Sequence, residues 1–172
     1  MGLDVNQNIV LIGMPGVGKS TVGVLLAKQL GCSFMDTDIL IQAAEGKTLQ
    51  QLIQIHGIAG FCDLEEAYIL SMAVASHVIA TGGSVVYGQA GMAHLKANAS
   101  VIHLDLSLDR LKKRLDDLNA RGVAIAPGRG LADLYAERHP LYLKYADWTV
   151  DTDSLTPDAV VRHIMARLID NS

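Results

Sequence analysis

Apolar residues in this chain follow two rhythms that alternate along its length. Short unbroken apolar runs predict strands covered on both faces. They fall at residues 7–13, 32–36, 77–80, 100–106 and 148–151. Between them lie stretches with helical spacing. Val22, Leu25, Leu26 and Leu30 stripe a helix over 19–30 that Gly31 can close. Helices are also predicted over 48–55, over 59–76 and, rich in charge, over 107–118. Another covers 132–145, and a last one starts at Thr156-Pro157-Asp158 and continues through Val160, Val161, Ile164, Met165 and Leu168. Residues 121–130 hold three glycines and a proline without a helical period, which predicts a loop. Strands alternating with helices give an α/β domain with a central parallel five-stranded sheet flanked by helices.

Composition narrows the function classes. A chain of 172 residues has room for one domain, residues 1–172, and can bury a core without disulfides or metal. Hydrophobic residues make up 50% and charged residues 19%, which excludes a disordered chain. The net charge of −4, with one Trp, five Tyr and two Phe, argues against a nucleic-acid partner. Residues 67–95 carry no charged side chain, but Gly82, Gly83, Gly88 and Gly91 interrupt them, so a membrane partner is not expected either. Cys32 and Cys62 stand apart, with no metal-ligand spacing, and no Lys or Arg precedes Lys19. Both features point to a reduced, cytoplasmic setting.

The strongest chemical signal is Gly13-Met14-Pro15-Gly16-Val17-Gly18-Lys19-Ser20, a complete G-x-x-x-x-G-K-[ST] between a predicted strand and a predicted helix. Glycines let successive N–H groups turn toward phosphate oxygens, and the helix N-terminus adds its positive dipole end. Gly16, Val17, Gly18, Lys19, Ser20 and Thr21 would wrap the phosphates, with Lys19 on the β- and γ-groups and the Ser20 hydroxyl on Mg²⁺. The carboxylate partner of that cation is sought at the strand ends. Asp105 ends a strand before a Ser-capped helix, a common structural position. Asp36 and Asp38 end the second strand, where positions i and i+2 of an extended segment share one side. One acid near Mg²⁺ and one near an acceptor hydroxyl would suit phosphoryl transfer. The alternative is that Asp36-Thr37-Asp38 simply caps a helix.

With these residues in place, the chain resembles the shikimate kinase family over nearly its whole length. The resemblance rests on the phosphate loop, Phe34-Met35-Asp36-Thr37-Asp38, Gly60-Phe61-Cys62-Asp63-Leu64-Glu65 and Thr81-Gly82-Gly83-Ser84. Arg121, Glu137-Arg138-His139-Pro140-Leu141-Tyr142 and the closing 146–153 segment follow in the family's order. It implies a P-loop kinase fold with a lid at about 121–130, ATP and Mg²⁺ as cofactors, and a small hydroxy acid such as shikimate as acceptor. A monomer is expected. Asp36 would sit near the metal, and Asp38 would hold the acceptor hydroxyl and act as base. Gly82 and Gly83 would face the substrate, and Arg138 would pair with its carboxylate. Arg121 would descend with the lid onto the transferring phosphate, and Arg114 would lie near the adenine. The chain departs from the family pattern at Cys62, where an arginine is expected, at Ser84 for a third glycine and at Gly122 for a proline. The first departure keeps open a same-fold kinase acting on another small hydroxy compound. A non-catalytic nucleotide-binding relative is the remaining alternative.

Overall fold

The structure is a computed structural model that describes residues 7–114, 123, 126 and 128–170. Five parallel strands form one sheet in the order β2-β3-β1-β4-β5. They are β1 (Asn8–Ile12), β2 (Ser33–Asp36), β3 (His77–Ala80), β4 (Ala99–Asp105) and β5 (Trp148–Asp151). Every residue of β1 is buried, as expected of a central strand covered on both faces. The connection from β1 runs to one side of the sheet and the later strands build out the other. The carboxyl ends of β1 and β3 therefore open at a topological switch point, where such sheets bind ligands.

The helices are α1 (Lys19–Leu30), α2 (Thr37–Glu45), α3 (Leu49–Ser71), α4 (Gln89–Ala97), α5 (Leu108–Arg114), α6 (Leu131–Tyr145) and α7 (Pro157–Asp170). A single 3₁₀ turn, Val85–Tyr87, follows β3. The main core fills the space between sheet and helices, while Ile41, Leu49, Leu52 and Phe61 form a second, smaller cluster between α2 and α3.

Three differences from the sequence expectations have physical causes. Residues 36–38 are not extended throughout. Asp36 ends β2 and its Oδ1 accepts from the backbone N–H of Asp38 at 3.0 Å and of Ile39 at 3.2 Å, starting α2. The two helices predicted over 48–55 and 59–76 are present within α3, meeting at a kink where Gly57, with φ of 69° and ψ of 177°, leaves the helical conformation. The second part stops at Ser71 because Met72 turns extended. Helix α4 buries only Gly91, Met92 and Leu95, a stripe too sparse to register as a period. The expected helix 107–118 is described through Arg114; residues 115–118 lie outside the described residues, as does most of the 121–130 segment. Among the described residues, no helix is long and apolar enough to cross a membrane.

Candidate active site

The loop from β1 to α1 turns through Gly13, Gly16 and Gly18, with φ of 147°, 81° and 108°. At Gly13 a Cβ would come within 2.5 Å of the Leu104 carbonyl oxygen, so the loop is pressed onto β4 and only glycine fits. Lys19 is buried, and its Nζ donates to the carbonyls of Gly13 at 2.7 Å and Met14 at 3.0 Å. Burial lowers its pKa to about 8, against the opposing charge of Asp38. Ser20 Oγ donates to Asp36 Oδ2 at 2.5 Å. Asp36 thus caps α2 through Oδ1, as the helix-capping alternative expects, and reaches the phosphate loop through Oδ2.

A cavity of about 490 Å³ opens over this loop. It brings together Gly16, Val17, Gly18, Lys19, Ser20 and Thr21 with Asp38, Gly82, Gly83, Arg114 and Arg138. Arg114 Nη1 donates to the Val17 carbonyl at 3.1 Å and the Gly16 carbonyl at 3.4 Å, which sets it over the outer turn of the loop. Arg121, and Gly122 beside it, lie outside the described residues. The Asp105 carboxylate faces His139 Nε2 at 3.3 Å.

At the far end of the cavity, the loop after β3 organises the remaining groups. Thr81 Oγ1 donates to the Leu11 carbonyl at 2.9 Å, and Gly82 N–H donates to Thr37 Oγ1 at 3.1 Å. A Cβ at Gly82 would meet Asp38 Oδ1 at 2.7 Å and would also collide with Glu65 Oε1; one at Gly83 would meet Arg138 Nη1 at 3.0 Å. Adjacent glycines therefore separate a carboxylate pair from a guanidinium. Burial pushes the Asp38 carboxyl up to about 6, with Lys19 opposing. Arg138 is 1% exposed, an unusual burial for arginine. Its Nε donates to Tyr87 Oη at 3.1 Å, and Tyr142 Oη donates to the Gly83 carbonyl at 2.6 Å.

Glu65 is a site residue that the sequence reading quoted within a motif but gave no role. It is 1% exposed, and burial pushes it up to about 7. Ser84 Oγ donates to its Oε2 at 2.6 Å, whereas Oε1 has no hydrogen-bond partner among the described residues. The signal was present: Phe61, Glu65 and Ile69 occupy successive turns of one buried face of α3, and a carboxylate on such a face requires a reason. Cys62, half-buried on the same turn, is pushed up to about 11 by burial and by the charge of Glu65, so it stays a neutral thiol.

No group of three or more His, Cys, Asp or Glu that could hold a metal ion occurs among the described residues. The Ser20 hydroxyl and the Asp36 carboxylate form a hard-oxygen pair that fits Mg²⁺, which keeps several waters and takes its other ligands from phosphates.

The family model for shikimate kinase matches residues 15–169. Among curated relatives, the shikimate kinase of Thiobacillus denitrificans is 38% identical over 166 residues, covering 94% of this chain and 90% of its own. That of Thermodesulfovibrio yellowstonii is 38% identical over 162 residues, covering 92% and 93%. Among solved structures, the Acinetobacter baumannii shikimate kinase in complex with shikimate superposes with a TM-score of 0.85 at 28% identity, covering 97% of this chain and 95% of that one. A thymidylate kinase from Candida albicans, with a TM-score of 0.63 at 14% identity, shares the fold alone. Matched by that family model over residues 15–169 and by relatives at 38% identity over most of its length, the chain belongs to the shikimate kinase family.

Proposed function

We propose that the protein transfers the γ-phosphoryl group of ATP to a hydroxyl of shikimate, in the cytoplasm. The observation that carries this reading is the pair of adjacent glycines, Gly82 and Gly83, with Asp38 against one and Arg138 against the other. An acceptor lying over them would give a hydroxyl to the acid and a carboxylate to the guanidinium, a fork suited to a planar anion. Asp38, ionised above about pH 6, would take the hydroxyl proton as the acceptor oxygen bonds to phosphorus and the bond to ADP breaks. Lys19 would hold the β- and γ-phosphates through the transfer, and Arg121 would add charge to the moving phosphoryl group. Mg²⁺, held through Ser20 and Asp36, would supply neutralisation of phosphate charge. A coupled ADP-release assay with shikimate tests the reading: turnover at millimolar shikimate is expected, and its absence would sink it.

A second reading keeps the kinase and changes the acceptor. Cys62, where the resemblance implies an arginine, lies beside a buried Glu65 whose Oε1 has no hydrogen-bond partner among the described residues. A hydroxy amino acid would bring its own cation to that carboxyl while still offering a carboxylate to Arg138. Cys62→Arg separates the two readings. If shikimate is the acceptor, a second guanidinium should lower its KM about tenfold. If an amino compound is the acceptor, the same change puts a cation against the ammonium, and activity on that compound should fall.

A further inference from the structure

A carboxylate clamp works only when its planar fork is held in one orientation, and for Arg138 that orientation is set from outside the cavity. Tyr87, at the end of the 3₁₀ turn that follows Gly82 and Gly83, receives the Arg138 Nε–H at 3.1 Å. The guanidinium carbon also lies 5.1 Å from the centre of the Tyr87 ring. Arginine has no acceptor atom, so the Nε proton must run toward Tyr87, and the tyrosine's own proton is left for another partner. That partner is Glu137, whose Oε1 accepts from Tyr87 Oη at 2.5 Å, while its Oε2 accepts from Arg129 Nη1. Arg129 in turn donates through Nη2 to the Asp133 carbonyl at 3.3 Å. The two bonds to Glu137 hold its carboxyl below the usual range, and burial with the Glu137 bond pushes the Tyr87 hydroxyl up. Glu137 therefore stays ionised and Tyr87 protonated, which keeps every proton of the chain pointing the same way.

We infer that Tyr87, oriented by Glu137 and Arg129, is a positioning residue for Arg138 and so sets the affinity for the acceptor's carboxylate. The inference rests on Arg138 receiving that carboxylate, as proposed above. Tyr87 is not among the residues lining the cavity, so it acts through the arginine.

The test combines kinetics with a direct view of the bond. In Tyr87→Phe, which keeps the ring and loses the hydroxyl, the KM for shikimate should rise about tenfold. The KM for ATP should stay within twofold, and kcat should fall less than KM rises. Glu137→Gln still accepts the tyrosine proton, so its shikimate KM should rise less than that of Glu137→Ala. In the full chain, hydrogen exchange at Arg138 Nε, assigned by its loss in Arg138→Lys, should be slow in the wild type and faster in Tyr87→Phe. A shikimate KM that does not move, or that rises in step with the KM for ATP, overturns the inference. Should the wild type fail to phosphorylate shikimate, the proposed acceptor falls, and the exchange measurement decides this inference alone. Unchanged Arg138 Nε exchange in Tyr87→Phe overturns it in every case.

Discussion

Burial pushes the Asp38 carboxyl up to about 6 and the Glu65 carboxyl to about 7, from ordinary values of 3.8 and 4.5. A carboxyl whose folded pKa lies above its unfolded one binds its proton more tightly in the native state. Its contribution to stability is full below the unfolded value and is lost as pH rises through the folded one. The melting temperature should therefore decline between about pH 4.5 and 7, and Glu65→Gln should flatten that decline; parallel profiles for the two proteins would refute the assignment. Catalysis has the opposite sign at Asp38, because a base must be ionised. The kcat/KM profile should fall on the acid side near pH 6, and Asp38→Asn should lose ~10²-fold or more of turnover while keeping its affinity for ATP. Lys19→Ala should cost at least ~10²-fold in rate, since it removes charge where charge develops.

Elements differ in how plainly their residues announce them. β1 and α1 were legible because a buried apolar run, a glycine turn and an apolar stripe stand in one unbroken stretch. α2 was not, because its start hides in a motif with two uses. Asp36 reads as a strand end and a metal acid, yet the same carboxylate caps the next helix. Asp36→Ala should therefore show two separable losses. Removing the cap should cost about 1 kcal/mol of stability, read by denaturant unfolding. Removing the second oxygen should raise the Mg²⁺ concentration needed for half-maximal rate. A variant with one loss and not the other would leave Asp36 with only one of the two proposed roles. The loop after β3 tolerates still less. Gly82→Ala would drive a methyl into the Asp38 and Glu65 carboxylates, so acceptor turnover should collapse while ATP affinity survives.

At the scale of the molecule, the parallel sheet and most of the site were legible. Contiguous motifs supplied the phosphate loop, Asp38, Gly82, Gly83 and Arg138, and the fold collects them around one cavity. The sequence hid the contacts between distant segments. Ser84 meets Glu65 across 19 positions and Tyr87 meets Arg138 across 51, and no local pattern encodes either pair. The Ser20–Asp36 bond, by contrast, joins two residues that the sequence already assigned to one cation, and it has a thermodynamic consequence. If Ser20 and Asp36 hold the cation as proposed, their oxygens already satisfy each other, so a bare magnesium ion would first have to displace a short hydrogen bond. It gains only two ligands in return. A magnesium ion carried on nucleotide phosphates brings most of its coordination with it and meets far less opposition. On the proposed reading, metal and nucleotide would be coupled ligands, and coupling is reciprocal: each would strengthen the other's binding by one common factor. Calorimetric titrations of Mg²⁺ into the protein with and without ADP should give a factor well above one, and a factor of one would refute the coupling. The protein would then discriminate against free metal through a bond it makes with itself.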